Sequence, residues 1–363
     1  MANSKKKYKI LHAPTSVGGN PYGLAQGERA IGLDSTVVYF KDSWPNYPYD
    51  INLHIEQYKL LTQYYRVASF FFKALCTYDI FHFNFGRSFL QFDRLGLYDV
   101  DLPIYRKIGK KVVVTFNGCD ARQKSYSKYN FNINACAEST CYGGFCNDKS
   151  DFIKRKRIEK ISKYADKVFS VNPDLLHVLP NAEFIPYTII DFHNLLLSPT
   201  KKNKGNRIKI LHAPSDRGAK GTKYILPVLK RIESEHNDVE VILIERIPNN
   251  KALEIYKEAD LVVDQLLIGW YGGFSVEVMA MGKPVICYIR EEDLKFIPKE
   301  MKEEMPIIKA NPDNLYEVLK ETIEDRNSLP MIGEKSRAYV EKWHDPIKIA
   351  SRMKDVYEDD PLC

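Results

Sequence analysis

The chain has 363 residues, 44% of them hydrophobic, which is enough for two α/β domains with separate cores. Its 53 basic and 47 acidic side chains give a net charge of +6, which suits an anionic small molecule or membrane surface and gives no reason to expect nucleic acid. The longest apolar run is too short to span a bilayer, and Met1–Lys7 lacks the apolar core of a secretory signal. We therefore expect a cytoplasmic protein.

The first half of the sequence alternates short apolar strands with helical patterns, as parallel strands joined by crossovers do. Residues 198–206, which follow it, are polar and basic without apolar periodicity, and predict an interdomain linker. The predicted strands are Lys9–Ala13, Thr36–Phe40, Asp79–Phe83, Lys111–Phe116 and Lys167–Val171, and the predicted helices are Tyr22–Ile31, Ile51–Leu75 and Asp151–Ala165.

The alternation resumes in the second half and ends in a helical stretch, Ser328–Tyr357. We expect this stretch to break near Asp345–Pro346, because the residue before a proline disfavours helical geometry. The predicted strands are Ile208–His212, Val239–Glu245, Leu261–Asp264, Pro284–Tyr288 and Pro306–Lys309, and the earlier helices are Lys220–His236, Asn250–Ala259 and Phe274–Met281.

A six-residue sequence occurs twice: Lys9–Pro14 recurs unchanged as Lys209–Pro214. Each copy is a strand pattern followed by a glycine-containing loop and a helical pattern. A strand leading through such a loop into a helix opens nucleotide-binding α/β domains, because the loop brings backbone N–H groups to an anion. The repeat predicts two similar domains, residues 1–197 and 207–346.

The richest segment lies between residues 260 and 285. Gly272 and Gly273 lead directly into a helix, so the amides around Phe274 and Ser275 lack intrahelical partners and suit a diphosphate. Glu277, one turn further, is placed to accept hydrogen bonds from both hydroxyls of a ribose. The alternative is a capped core helix.

A second loop, Ser215–Thr222, contains the cations Arg217 and Lys220 and the glycine Gly221. Cations and amides are what a leaving nucleoside diphosphate needs, because negative charge grows on its oxygen as the glycosidic bond breaks. Surface charges beside a turn are the alternative interpretation.

These residues resemble the donor-site signature of two-domain GT-B glycosyltransferases, especially the family-4-like group. In that family a glutamate pair eight residues apart brackets a Gly-Phe-Gly-type turn. Glu277 matches the second glutamate and Met279–Val285 matches the helix end, whereas the first glutamate falls on Gly269. Asp264 or Gln265 are candidates to replace its contact with the transferred sugar.

Further matches extend the resemblance over nearly the whole chain. Lys220–Gly221 corresponds to the family's Lys-Gly pair, while the family arginine falls on Ser215, with Arg217 as a replacement from the same loop. Tyr164–Asp166 before a strand and Trp343–Pro346 before the last helix also match.

The resemblance implies an α/β GT-B fold with two Rossmann-like domains facing a central cleft, and a C-terminal helix at about 347–363 crossing back to the first domain. It implies a hexosyltransferase that uses a UDP-, GDP- or other nucleotide sugar and a saccharide or glycolipid acceptor, with retention of configuration, in cell-surface polysaccharide or glycolipid synthesis. No cofactor and no catalytic metal are expected. A nucleotide-sugar epimerase of the same fold and a non-catalytic nucleotide- or partner-binding relative are the alternatives.

Candidate acceptor residues lie in the first half. Gly18 and Gly19 follow the first strand, where the backbone can approach the acceptor at Gly18 and the donor diphosphate at Gly19; a tight turn without function is the alternative. His82 ends another strand, and Asn117 and Asp120 follow the strand Lys111–Phe116. Ligands of open α/β sheets bind beyond the carboxyl ends of strands. The last turn resembles the family's Phe-His-Gly-Ser-Asp turn, so that Asp120 would orient or deprotonate an acceptor hydroxyl. A satisfied core residue is the alternative for His82.

Two further features remain open. Cys136, Cys141 and Cys146, with Cys119 upstream, have ligands for zinc or an iron–sulfur centre but no close Cys-x-x-Cys pair; a disulfide or buried thiols are the alternatives. The basic run Lys154–Arg157 opens a helix that fits either peripheral contact with the inner membrane surface or a solvated face.

Overall fold

The computed structural model describes residues 8–197 and 207–359, so the predicted linker at 198–206 lies outside the described residues. The described chain packs as two compact units. The first contains residues 8–121, 152–190 and 345–359, and the second contains 122–151, 191–197 and 207–344. Residues 122–151, which the sequence boundaries place in the first domain, thus pack with the second unit.

Twelve strands and fourteen helices are formed by the described residues. The strands are β1 Lys9–Ala13, β2 Asp34–Tyr39, β3 Ile51–Asn52, β4 Ile80–Asn84, β5 Lys111–Phe116, β6 Lys167–Ser170, β7 Glu183–Phe184, β8 Ile208–His212, β9 Val239–Leu243, β10 Leu261–Val263, β11 Val285–Cys287 and β12 Ile308–Lys309. The helices are α1 Asn20–Ala30, α2 Leu60–Thr77, α3 Leu102–Lys107, α4 Lys124–Asn130, α5 Asp148–Tyr164, α6 Phe192–Leu196, α7 Arg217–Lys220, α8 Thr222–Glu235, α9 Asn249–Tyr256, α10 Gly273–Ala280, α11 Lys299–Glu303, α12 Leu315–Glu324, α13 Leu329–Trp343 and α14 Pro346–Glu358.

The first unit contains a parallel sheet in the order β3-β2-β1-β4-β5-β6-β7. The interior strand β1 pairs with both β2 and β4, and its residue Leu11 is fully buried. The last helix, α14, packs on α1 in this unit, as predicted. A Cβ at Gly27 would lie 2.1 Å from the carbonyl oxygen of Pro346, so only glycine permits this approach.

The second unit contains a five-stranded parallel sheet in the order β12-β11-β10-β8-β9. Strand β8, next to the edge strand β9, carries the second copy of the repeat and pairs with β9 and β10. Both copies place a fully buried histidine at the strand end, His12 in β1 and His212 in β8. The prediction of two Rossmann-like α/β units is confirmed.

The predicted helix Ile51–Leu75 was wrong at its start. Ile51 and Asn52 form an edge strand paired with β2, and helix α2 begins at Leu60. The preceding Asp50 fixes this geometry, because its carboxylate accepts the backbone N–H of Val37 at 2.7 Å. The predicted break near Asp345–Pro346 is confirmed, with α13 and α14 on either side.

Candidate functional site

The start of helix α10 is held by buried aromatic side chains in the loop before it. Trp270 and Tyr271 are fully buried, with ring centroids 4.3 Å apart. The Tyr271 hydroxyl lies 2.9 Å from the Tyr339 hydroxyl and 3.0 Å from Nε2 of His344. These contacts fix the point at which Gly272 and α10 begin, so the first-turn amides have a defined position.

Three predicted site residues meet at this helix start around Asp264. The Lys220 ammonium lies 2.5 Å from Oδ1 of Asp264, and the Ser275 hydroxyl donates to Oδ2 at 2.6 Å. A Cβ built on Gly272 would be 3.8 Å from Nζ of Lys220. A cation, a glycine and a helix N-terminus therefore lie within one small volume, which is the arrangement that suits a phosphate group.

The role of Asp264 was missed in the sequence, where it was considered only as a substitute for the absent glutamate. The Asp264 side chain is fully buried, and a buried carboxylate requires a partner. That requirement was the available signal, because an aspartate directly after an apolar strand needs a cation nearby. Asp264 also accepts the Gly272 N–H at 3.5 Å, so a diphosphate at this helix start would have to share Lys220 and this amide with a buried carboxylate.

His212 links the start of α8, directly after Lys220 and Gly221, to the sheet. Its Nδ1 lies 2.9 Å from the Val263 carbonyl oxygen and must donate, because a carbonyl only accepts; Nε2 then accepts the Thr222 hydroxyl proton, also at 2.9 Å. Burial lowers the pKa of His212 to about 4, so the ring is neutral near pH 7. Gly221, between Lys220 and Thr222, has φ 76°, a left-handed conformation that favours glycine.

Arg217, the other predicted phosphate cation, is paired in the structure with Glu245. Its Nε and Nη2 each donate to a separate carboxylate oxygen at 2.6 Å. More than half of the arginine side chain is exposed, and exposed ion pairs are weak in water. A phosphate can therefore compete for this guanidinium at little cost.

Glu277 is a buried carboxyl one turn into α10. Burial raises its pKa to about 7, and the amide of Asn249, which donates to Oε1 at 3.0 Å, partly opposes the shift. Asn249 begins helix α9 and was missed in the sequence, where nothing marks it. A buried carboxylate with one amide donor has the capacity to accept further hydrogen bonds from ligand hydroxyls.

The position of the missing family glutamate is closed. Gly269 has φ 89°, and a Cβ there would lie 2.7 Å from the guanidinium carbon of Arg290. Arg290 is buried, pairs with Asp293 at 2.9 Å and lies over the Phe131 ring. Gln265, a proposed substitute, donates its amide to the Trp270 carbonyl. Gly269 has no side chain to contact a sugar, and a sugar contact by Gln265 stays a prediction.

Residues 131–146, named the 131–146 segment below, pack beside helix α7 within the second unit. The N–H of Ala135 donates to the Leu267 carbonyl at 3.2 Å, and the N–H of Tyr142 donates to Asp216 at 3.2 Å. A Cβ at Gly218 would lie 2.5 Å from the backbone nitrogen of Cys141. These contacts explain why residues 122–151 belong to the second unit, and no local sequence pattern predicted them.

The cysteines of this segment do not form a three-ligand group in the structure. Cys136 is buried, whereas Cys141 and Cys146 are half-buried. Within residues 8–197 and 207–359, two groups of three His, Cys, Asp or Glu side chains have ligand atoms within 4.8 Å of one another, and neither contains a cysteine. One group is His12, Glu28 and His82; the other is Asp42, His54 and Glu56. A metal bound by the cysteines stays a hypothesis.

The predicted acceptor residues of the first unit form two turns. Gly18 is exposed at φ 59°, and a Cβ there would meet nothing within 4 Å, so a ligand can approach its backbone. Gly19 is buried and needs to be glycine for packing, since a Cβ would lie 2.6 Å from Ile190. Asp120 accepts the N–H groups of Asn117 and Gly118 at 2.9 and 2.6 Å. Its carboxylate thus holds the turn, and its role as a base stays a prediction.

One sequence interpretation needs correction, and another concerns a run that is only partly exposed. His82 is fully buried, with Nδ1 2.8 Å from the Tyr357 hydroxyl and Nε2 2.7 Å from the Thr115 hydroxyl, and burial lowers its pKa well below 6.5. It is a satisfied core residue with no surface to offer an acceptor. The basic run on α5 is divided, because Lys154 and Arg157 are buried whereas Arg155 and Lys156 are exposed, and its contact with a membrane stays a prediction.

No family model matches the chain, and neither does any curated protein. Solved structures do match. The HepE protein of Anabaena, crystallised with UDP-glucose, is 15% identical over 96% of this chain and 99% of its own, with a TM-score of 0.63. Sucrose-phosphate synthase from Thermosynechococcus elongatus is 14% identical over 96% and 98%, with a TM-score of 0.57. The chain has the GT-B fold.

The same fold also includes enzymes of another class. A putative UDP-N-acetylglucosamine 2-epimerase from Listeria monocytogenes is 16% identical over 98% of both chains, with a TM-score of 0.56. At such low identities the similarity establishes the fold alone. The function must be argued from the residues at the start of α10.

Proposed function

We propose that the protein is a glycosyltransferase that moves a sugar from a nucleotide-sugar donor to a hydroxyl acceptor in the cytoplasm. The observation that carries the proposal is the start of α10, where Lys220 and two glycines lie beside first-turn amides and a buried carboxyl follows one turn later. UDP-glucose in the HepE structure, which has the same fold, supports a nucleotide-sugar donor.

The residues of the second unit take these roles in the proposal. Lys220 and the amides from Gly272 to Ser275 bind the diphosphate and stabilise the charge that grows on the leaving oxygen. Glu277 accepts the ribose hydroxyls, and Asn249 positions its carboxylate. Arg217 exchanges Glu245 for a phosphate oxygen. Helix ends and side chains neutralise the diphosphate in this scheme, so it does not depend on a divalent cation.

The first unit would present the acceptor. In this proposal residues 1–197 and the helix at about 347–363 form the acceptor domain, apart from residues 122–151 and 191–197, which pack with the second unit, and residues 207–346 form the donor domain. Gly18, Asn117 and Asp120 are the candidate acceptor contacts, with a saccharide or glycolipid of cell-surface synthesis as the acceptor class. Retention of configuration belongs to the proposal, and the sugar contact of the family's first glutamate must come from a group other than Gly269.

The test is release of nucleoside diphosphate from UDP- and GDP-sugars, with and without saccharide acceptors. We expect Lys220→Met to lower the rate of transfer on the order of a hundredfold, as loss of a charged leaving-group contact does. Lys223→Met is the matched control, because Lys223 is exposed and pairs with Glu138 at 2.6 Å. The anomeric configuration of the product, read by NMR, decides between retention and inversion.

The epimerase is the second candidate, because proteins with that description share the fold at similar TM-scores. An epimerase would invert one carbon of the donor sugar in the absence of an acceptor. It would transfer no sugar to a hydroxyl acceptor. Epimerised donor in the acceptor-free reaction would replace the transferase assignment. Binding without turnover of any donor would make the protein a non-catalytic relative.

A further inference from the structure

Helix α2 of the first unit exposes a stripe of large apolar side chains. Leu61, Tyr65 and Phe72 are 82%, 73% and 65% exposed. The three positions fall within an arc of about 40° on a helix that turns roughly 100° per residue. The opposite face packs Val67 and Phe71 into the core. Single exposed apolar residues are ordinary, whereas a continuous stripe marks a contact surface.

Three cations accompany this stripe, spaced seven residues apart. Lys59 directly precedes α2, and Arg66 and Lys73 lie about 100–120° around the helix from the centre of the stripe. Residues 58–78 contain neither aspartate nor glutamate. The Arg66 guanidinium lies 4.4 Å from the centre of the Tyr58 ring. Apolar side chains near cations are the composition that anionic bilayers attract.

The neighbouring helix continues the same chemistry. Helix α3 lies beside α2, since the rings of Phe71 and Tyr105 are 5.9 Å apart in the shared core. On its outer side α3 exposes Arg106 and Lys107, and Ile108 follows at 47% exposure. The cationic and apolar surface is therefore wider than one helix.

We propose that this surface, defined by Leu61, Tyr65 and Phe72 with the cations Lys59 and Lys73, docks on an anionic lipid bilayer. Aromatic rings pack at the headgroup level, and lysine side chains extend to the phosphates. No described helix is long and apolar enough to cross a membrane, which fits a peripheral contact.

A second copy of the chain is a poorer occupant of the same surface. A symmetric dimer places the same patch of both copies together. It would bring the two sets of cations into proximity, and residues 58–78 have no carboxylate to pair with them. A bilayer with anionic headgroups supplies the missing charge.

The experiment is co-sedimentation of the full chain with vesicles, so it does not depend on any enzymatic activity. One set contains phosphatidylcholine alone, and the other contains phosphatidylglycerol at about a third of the lipid. We expect binding to the anionic set, weakened by salt because the Debye length shortens. Lys59→Glu with Lys73→Glu should weaken binding by about fivefold or more per residue. Leu61→Ser with Phe72→Ser should weaken it on the order of tenfold or more.

Two variants outside the surface serve as controls. Tyr129→Ser removes an aromatic ring that is 91% exposed in the second unit, and Lys299→Glu with Lys302→Glu reverses two exposed cations of α11. Both should bind vesicles as the unaltered chain does, and thermal melting should show every variant folded. Absent binding, equal binding to neutral vesicles, or equal loss in the controls would each overturn the proposal. So would a dimer, seen by light scattering, that the surface variants dissociate.

Discussion

If Glu277 binds the donor ribose as proposed, its buried carboxyl should make donor binding depend on pH. Its pKa is raised to about 7 by burial, and only its ionised form accepts hydrogen bonds from both ribose hydroxyls. The ionised fraction is about one tenth at pH 6 and about nine tenths at pH 8, so the apparent affinity should rise nearly tenfold between them. Burial lowers the pKa of His212 to about 4, so that ring does not titrate in this window.

Calorimetry with a nucleotide sugar measures this dependence, because its diphosphate diester has no proton to exchange in that range. Near pH 7 binding should release about half a proton, seen as a dependence of the heat on the buffer. Glu277→Gln should abolish the pH dependence and, like Glu277→Ala, weaken binding by about 1–3 kcal/mol. Lys223→Met, which alters a surface pair, is the control. A constant affinity in the unaltered protein, or an equal slope in Glu277→Gln, would remove Glu277 from the site.

Three further outcomes follow from buried groups. Tyr357→Phe removes a hydroxyl that bonds to two buried partners, and the free energy of unfolding, measured with denaturant, should fall by about 1–3 kcal/mol. Gly269→Glu forces a side chain onto a guanidinium at positive φ; melting should show destabilisation, with no gain in transfer. Burial lowers the pKa of both His82 and His212 in the folded state, so these rings take up protons more readily in the unfolded chain. The free energy of unfolding should therefore decrease as the pH is lowered below about 6.5. The raised pKa of Glu277 has the opposite effect and offsets the contribution of one histidine. Chemical denaturation at several pH values measures the net dependence of the free energy of unfolding on pH.

The elements that the sequence predicted best are those whose signal is local. Strands β1, β5 and β8 match the predicted ranges residue for residue, because strands buried on both faces are continuous apolar runs. The edge strands β3 and β7 have two residues each, too few to show a period. The start of α10 was predicted correctly, since paired glycines before an apolar helix are a local pattern.

The parts of the site that were missed depend on contacts between distant residues. Asp264 meets Lys220 across 44 positions, and Asn249 meets Glu277 across 28. Neither contact has a periodicity, and only the general need to pair a buried charge pointed to the first. The opposite error occurred at His82, where a polar residue at a strand end indicated a ligand, but both ring nitrogens have partners inside the core.

The side chains around Gly269 are packed to fit a glycine in place of the family glutamate. The glycine adopts a φ that other residues avoid, and Arg290 fills the space beside it. That arginine in turn donates to the Ile133 carbonyl at 2.9 Å and covers the ring of Phe131, both at the start of the 131–146 segment. Removal of Arg290 alone would leave Asp293 as a buried carboxylate without its cation, which is costly. Restoring the family glutamate therefore requires changes at several of these positions together, so the proposed transferase needs a different group for its sugar contact.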